Sequence, residues 1–297
     1  MQYKVIDDYV YIDIKSIHYK TIQEFFDNLI PSKKYQHLLI QNKWISIDDK
    51  FVNRDTEIIG KTLKIILYPE NYYYEVKTNK EVDILYEDEL FVVVNKPAGM
   101  LVHSDGNKNK VTLADLLESN FAREHKLGSV NPVHRLDEDT QGVLLFSKSV
   151  IFQGLIDKLL SYKHISRKYL AFVEGRVDKG TRITVNEPIG KDRHDPKKQR
   201  VSKTGLEAKT IVHSVYTDNE YSVLKCELKT GRTHQIRVHT AHIGHPILND
   251  KLYGKPSKKC LNMGLVAHEI SFYHPLKEEV INVKGYISSD LAKLYKA

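Results

Sequence analysis

At 297 residues, with 41% hydrophobic and 28% charged residues, the chain has the composition of a globular enzyme of one large or two ordinary domains, not of a disordered segment. No apolar run reaches the roughly 20 residues needed to cross a bilayer, and the early acids of MQYKVIDDYV argue against an export signal, so a cytoplasmic protein is expected. The formal net charge of +7 leans toward a polyanionic partner, and the only two cysteines, Cys226 and Cys260, form no C-x-x-C pair, which disfavours a thiolate metal site and a disulfide framework.

Residues 21–30 place Ile22, Phe25, Phe26 and Leu29 on one helical face. Pro31 and Ser32 restart a second helix that runs to about Gln41. Trp44, Ile45 and Ile47 follow as a strand, Asp48-Asp49-Lys50 as a turn, and Leu63 to Tyr68 as another strand. This helix-helix-hairpin unit resembles the S-four-like RNA-binding domain, although its lysines (Lys33, Lys34, Lys43) replace the arginines usual there; a generic small α+β domain is the other reading. Its charge is near balance, with 12 Lys+Arg against 11 Asp+Glu in residues 1–80, so the basic excess lies further on. Residues 71–82, polar with a tyrosine run, read as a linker between a domain at 1–70 and a larger one at 83–297.

The larger domain opens with two strands, Asp83 to Tyr86 and Leu90 to Asn95. Thr112 with Asp115 has the spacing of a capping box ahead of the apolar stripe Leu113, Leu116, Leu117 and Phe121. Residues 149–160 read as an amphipathic helix. Arg167 to Gly175 reads as a strand with Tyr169, Ala171 and Val173 on one face. Two further strands flank a turn at Thr217 to Glu220. The order is strand-rich without regular βαβ alternation, which predicts an α+β fold. Neither G-x-x-x-x-G-K-[ST] nor G-x-G-x-x-G occurs, so no nucleotide cofactor is expected.

Four stretches carry the chemistry. They are NKPAGMLVH (Asn95 to His103), HRLDEDTQG (His134 to Gly142), RKYLAFVEG (Arg167 to Gly175) and LKTGRTHQIRVH (Leu228 to His239). Taken alone, Arg135 with Asp137 reads as a structural ion pair in a loop, and Tyr169 as one of 18 tyrosines. In this order and spacing the four stretches together resemble the RluA-type pseudouridine synthases, over about Asp83 to Ile287. The resemblance implies a catalytic fold with a mixed, mainly antiparallel sheet around a cleft. It implies Asp137 as catalytic aspartate, Tyr169 as the ring that stacks on the target uracil, Arg237 as the basic partner of the aspartate, and Arg135 as the group that fills the RNA stack when the nucleotide leaves it. Gln141 stands where Ser is usual, Asn249 where Gly is usual before Asp250, and Glu269 where Ala is usual after His268.

The implied reaction accounts for these residue types. Turning uridine into pseudouridine oxidises nothing, so no cofactor is expected. A carboxylate acting as nucleophile or base must be charged, and a guanidinium within about 4–6 Å favours that form. An aromatic ring offers a stacking surface for a base that must leave its helix. Arg232, His234 and Gln235 are expected to contact RNA phosphates or support the site. Lys198 and Arg200, inside the basic run Lys191 to Lys203, are expected to do so from a hairpin. His239, His242 and His245 follow His234 at suggestive spacing, but no carboxylate or cysteine completes a ligand set, so no metal is expected. Two other classes compete. A silent RNA-binding factor is disfavoured because Asp137, Tyr169 and Arg237 are all present. A glycosidic hydrolase would want a second carboxylate, for which Glu138 and Asp139 are poor candidates. A monomer acting on structured RNA, ribosomal before transfer RNA, is the expectation.

Overall fold

The computed structural model describes residues 2–14, 19–69, 74–106, 110–162 and 164–295. Its first part forms β1 (Gln2–Ile6), β2 (Tyr9–Asp13), α1 (Ile22–Leu29), α2 (Lys33–Gln41), β3 (Ile45–Ile47), β4 (Lys50–Phe51) and β5 (Thr62–Ile66). These strands make an antiparallel sheet in the order β1-β2-β5-β3-β4. The helix pair and the strands after it match the sequence expectation; the β1-β2 hairpin adds to it. Thr21 caps α1 by accepting the Glu24 N–H, and Ile22, Phe25, Phe26 and Leu29 are all buried, as their spacing predicts. Asp48 and Asp49, both at positive φ, supply the turn that a tight hairpin needs.

The expected linker is not a free tether. Its first residues, 71–73, lie outside the described set, but from Tyr74 the chain is strapped along a helix of the second part. The elements there are β6 (Ile84–Glu87), β7 (Phe91–Lys96), α3 (Leu113–Arg123), β8 (Asn131–Pro132), β9 (Gln141–Ser147), α4 (Gln153–Ser161), β10 (Ile165–Glu174), β11 (Arg182–Val185), β12 (Ile189–Lys191), β13 (Gln199–Val201), β14 (Thr210–Thr217), β15 (Tyr221–Leu228), α5 (Gln235–His242), β16 (Leu265–His274), β17 (Glu279–Lys284) and α6 (Ser289–Leu294). Lys77 reaches Asp115 and Glu118 on α3 at 2.7 Å each, and the Lys77 N–H donates to Ser119. Thr112 and Asp115 complete the reciprocal capping box that opens α3. Among the described residues no helix is long and apolar enough to cross a membrane.

The main sheet runs β11-β14-β15-β10-β16-β9-β7-β6, with β17 added to β16 and β8 to β9. Every pairing in it is antiparallel except β16 with β9. That α+β mixed sheet is the expected fold class. Strand β10 is buried on both faces: Tyr169, Ala171 and Val173 join one apolar cluster, Leu170 and Phe172 the other. Gly142 marks the parallel contact. It has φ 112°, and a Cβ there would lie 2.1 Å from the Ala267 carbonyl oxygen, so only glycine lets β9 leave the HRLDEDTQG loop so close to β16. Helix α4 begins four residues later than the pattern suggests, because Ser149 is used elsewhere; its hydroxyl donates to Leu67 O at 2.8 Å and ties the two sheets together.

The seam between the sheets also holds a buried carboxylate. Asp88 accepts the Leu90 and Phe91 N–H groups on one oxygen, while Tyr86, His274 Nε2 (3.0 Å) and Lys277 (3.1 Å) crowd the other. Tyr3 of β1 stacks on the His274 ring at 6.5 Å. Burial by itself would raise the Asp88 carboxyl; the hydrogen bonds of His274 and Tyr86 outweigh it and hold the group well below the ordinary carboxylate range. A depressed carboxyl stabilises the fold above its unfolded value near pH 3.8, and that contribution is lost as pH falls further toward the folded value. The urea midpoint, followed by the fluorescence of Trp44, the single tryptophan, should therefore drop below about pH 4. The Asp88→Asn protein, weaker at neutral pH, should show a flatter acid limb. Parallel acid limbs in the two proteins would remove Asp88 from this account.

Candidate active site

The HRLDEDTQG segment crosses the floor of a cleft of about 900 Å³ between β10 and the start of α5. Its conformation is fixed from behind by Lys96, the last residue of β7. Lys96 is fully buried, and its ammonium donates to three carbonyls: Pro97 at 3.0 Å, Met100 at 2.7 Å and Glu138 at 2.7 Å. The Gly99 N–H donates to the same Glu138 carbonyl at 2.9 Å. Residue 138 is thus held twice, immediately after Asp137. Burial pushes Lys96 down to about 8, against the opposing charges of Asp137, Asp139 and Glu138. His134, at the start of the segment, is buried as a neutral ring; burial, then the charge of Arg167, pushes it down to about 3.

Asp137 Oδ2 accepts a hydrogen bond from Arg237 Nη1 at 3.0 Å, across 100 residues of sequence. Arg237 lies in the first turn of α5 and is 4% exposed. Two of its other donors go to Asp250: Nε to Oδ2 and Nη2 to Oδ1, both 2.8 Å. Asp250 is fully buried and also accepts the Leu252 and Tyr253 N–H groups. This is a bidentate fork that aims the guanidinium and directs an Nη1 N–H at Asp137. Burial would lower Arg237, but the Asp250 and Asp137 carboxylates more than reverse that. Burial would raise Asp250, and Arg237 holds it below the usual range.

A second arm reaches the carboxylate through His234. This residue precedes α5 at φ 56°, a conformation rare for a non-glycine residue and one that turns its ring toward the cleft. Its Nε2 is 3.7 Å from Asp137 Oδ2, and its Nδ1 is 2.8 Å from the Tyr253 hydroxyl. That hydroxyl accepts the Gln199 N–H at 2.7 Å, and the Tyr253 ring lies 5.1 Å from the Arg237 guanidinium. With the phenol oxygen already accepting from Gln199, its proton points to Nδ1, which leaves the proton of a neutral ring on Nε2, facing Asp137. Burial lowers His234, and Asp137 opposes the shift.

Tyr169 forms the opposite wall. It is 5% exposed, follows a bulge between Lys168 and Tyr169 in the β10-β16 ladder, and lines the cleft with Asp137. Burial raises its hydroxyl, with Arg167 opposing, so the phenol keeps its proton. Arg135 and Arg232 line the same cleft, Arg135 exposed. Arg232 Nε donates to Glu207 O at 2.8 Å.

Not every expected residue reaches the cleft with a free group. Of the two roles expected for Gln235, a phosphate contact or a support, its geometry fits the support: it is 3% exposed, donates to Lys209 O and Thr210, and accepts from Thr230 and Arg232 N. With its amide fully engaged it braces the turn into α5. Lys198 and Arg200 lie on the β12-β13 hairpin, away from the cleft lining, though the Gln199 N–H between them joins that hairpin to Tyr253. His239 is held by Thr210 and Glu187 O, and His245 by Glu174 O. Sequence reasoning left Lys96, Asp250 and Tyr253 without roles.

The three departures from the usual pattern leave the centre intact. Gln141 extends toward Ser288 at 3.4 Å. Asn249 has φ 59°, which asparagine tolerates better than other non-glycine residues, and its amide donates to Leu261 O. Glu269 pairs with Lys168 across the β10-β16 ladder at 2.6 Å.

A ring, a carboxylate and an aimed guanidinium thus meet in one cleft on a mixed sheet. Comparison with known proteins gives the family. The family described as RNA pseudouridylate synthase matches residues 90–242. The RNA pseudouridine synthase YhcT of Bacillus subtilis is 38% identical over 218 residues, 72% of this chain and 71% of that protein. The ribosomal large subunit pseudouridine synthase D of Xylella fastidiosa is 34% identical over 278 residues, 86% of this chain and 82% of that protein. The solved structure of human RNA Pseudouridylate Synthase Domain Containing 4 shares the fold, with a TM-score of 0.58, 21% identity, and coverage of 71% of this chain and 90% of that one. The chain belongs to the RNA pseudouridylate synthase family, in its RluA-type branch, and isomerises uridine in RNA to pseudouridine.

Proposed function

We propose that this enzyme modifies uridine in ribosomal RNA, with Asp137 as the nucleophile or base. The observation that carries the assignment is the 3.0 Å bond from Arg237 to Asp137 opposite Tyr169 in one cleft. In the reaction the bond from uracil N1 to ribose C1′ breaks, the base turns, C5 bonds to C1′, the C5 proton leaves, and N1 takes up a proton, so the composition is unchanged. Tyr169 stacks on the uracil and holds it through the turn, an interaction worth roughly 1–3 kcal/mol. Arg135, two residues from Asp137 and exposed at the cleft mouth, fills the gap left by the flipped nucleotide. Arg232, with Lys198 and Arg200 on the hairpin, takes phosphates, and the N-terminal S-four-like domain holds structured RNA beside the cleft. The preference for ribosomal RNA draws support from the Xylella relative, whose name places its action on the large ribosomal subunit.

The test is a pseudouridine map of total RNA from cells with and without this protein. Loss of one or a few ribosomal sites is the expected result. Loss confined to transfer RNA would move the substrate assignment, and an unchanged map would overturn it.

A further inference from the structure

The face of the N-terminal sheet turned away from α1 and α2 carries rings and ammonium groups in alternation. Strand parity sets this face. Val10 and Ile12 point into the core and are fully buried, so Tyr9 and Tyr11 point outward. The register then puts Lys4, Tyr11, Lys64, Ser46 and Phe51 in one row across the five strands. Lys4 Nζ lies 5.5 Å from the Tyr11 ring centre, Lys64 Nζ 4.7 Å from that of Tyr9, and Lys43 Nζ 4.7 Å from that of Phe51. Phe51 is 61% exposed. None of these residues lines the catalytic cleft.

One exposed ring needs no explanation. Three rings on one sheet face, Phe51 exposed and Tyr9 and Tyr11 half-buried, each with a lysine over it, form a pattern that serves nucleic acid: rings for bases, cations for phosphates. The acids nearby do not cancel the charge. Asp13 is at the margin and accepts from Thr62, and Asp49 is 4.0 Å from Lys64 in an exposed pair. In a duplex the faces of the bases are already covered by their neighbours, so a sheet of rings suits unpaired nucleotides.

We propose that this sheet face binds an unpaired stretch of the substrate RNA, with bases stacked on Tyr11 and Phe51 and with Lys4, Lys43 and Lys64 moving from the rings to the phosphates. The proposal rests on the reading of the enzyme as one that takes structured RNA, and adds an anchor outside the cleft. Tyr11 and Phe51 are three strand spacings apart, about 14 Å.

The test uses the full-length protein, fluorescence anisotropy, and two probes: a labelled oligouridylate of about 12 nucleotides and an RNA duplex of similar length. Tyr11→Ser with Phe51→Ser is expected to weaken oligouridylate binding about ten-fold or more and to leave duplex binding unchanged. Tyr11→Phe should bind as the wild type does, since the ring remains, which separates loss of stacking from loss of fold. Lys4→Gln, Lys43→Gln and Lys64→Gln together should reduce the salt dependence of oligouridylate binding by about 2 in slope. Equal oligouridylate affinity for wild type and the Ser variant would overturn the proposal, as would an equal loss of duplex binding. The same titrations on Asp137→Asn protein do not depend on isomerisation, so failure of this face and failure of the catalytic assignment are read separately.

Discussion

Asp137→Asn should abolish isomerisation, lowering kcat about ten-thousand-fold or more, while the protein folds and binds RNA as before. The amide has the shape of the carboxylate and still offers an oxygen to Arg237 Nη1, which is fixed by its fork on Asp250 and does not depend on Asp137 for its position. The loop also keeps its shape, because Lys96 and Gly99 hold it by a backbone carbonyl and not by the Asp137 side chain. What is lost is an anionic oxygen able to attack or to take a proton. The measurement is release of tritium from RNA labelled at uridine C5, since that hydrogen leaves in every turnover. Asp139→Asn, two residues further along the same loop, provides the control and should keep near wild-type turnover. An Asp137→Asn protein with more than a few per cent of wild-type kcat would remove Asp137 from the centre of the mechanism.

The parts of this site differ in how far the sequence reveals them. Asp137, Tyr169 and Arg237 are legible because each is embedded in a short stretch with its own distinctive residues, and the order of the stretches stands in for the fold. Asp250 is not. It follows Arg237 by 13 residues in a segment without periodicity, and nothing local says that its two oxygens collect four donors. Lys96 is visible in NKPAGMLVH, but a lysine bonded to three backbone carbonyls has no side-chain partner to betray it. Gln235 is ambiguous for the opposite reason: within a basic motif a polar amide fits a phosphate contact or a support, and only the fold shows it turned inward at the turn into α5.

The fold shows the same division. The capping box at Thr112 and the alternation in β10 are local signals, and both appear where the spacing puts them. The hairpin β1-β2 has a readable pattern too, with Tyr3, Val5, Val10 and Ile12 alternating around Asp7-Asp8, yet three of its six outward positions are Ile6, Tyr9 and Tyr11, which blur the polar half of the alternation. The strap from Tyr74 to Thr78 is polar because it pairs with the polar side of α3, so composition alone makes it look like a tether.

The fork between Arg237 and Asp250 makes the second large prediction. Asp250→Ala would leave a guanidinium that is 4% exposed facing only Asp137, which is itself 27% exposed in its side chain. Removing one partner of a buried ion pair costs about 3–5 kcal/mol, because the remaining charge is neither solvated nor matched. For a chain of this size each kcal/mol moves the midpoint of thermal unfolding by roughly 2–4 °C, so Tm should fall by about 6–20 °C. Activity should fall as well, and for a separate reason: with Nε and Nη2 released, Nη1 is no longer aimed, and a misplacement near 1 Å costs on the order of a hundred-fold in rate. That loss should appear in kcat with KM held, since the stacking ring and the phosphate contacts are untouched. The two effects can be separated by removing the pair together. Arg237→Met with Asp250→Asn deletes both charges together, which is often near neutral, and keeps an oxygen for the Leu252 and Tyr253 N–H groups. The double variant should recover most of the lost Tm and none of the activity. If Asp250→Ala kept both the Tm and the kcat of the wild type, the fork would not be what aims Arg237 at Asp137.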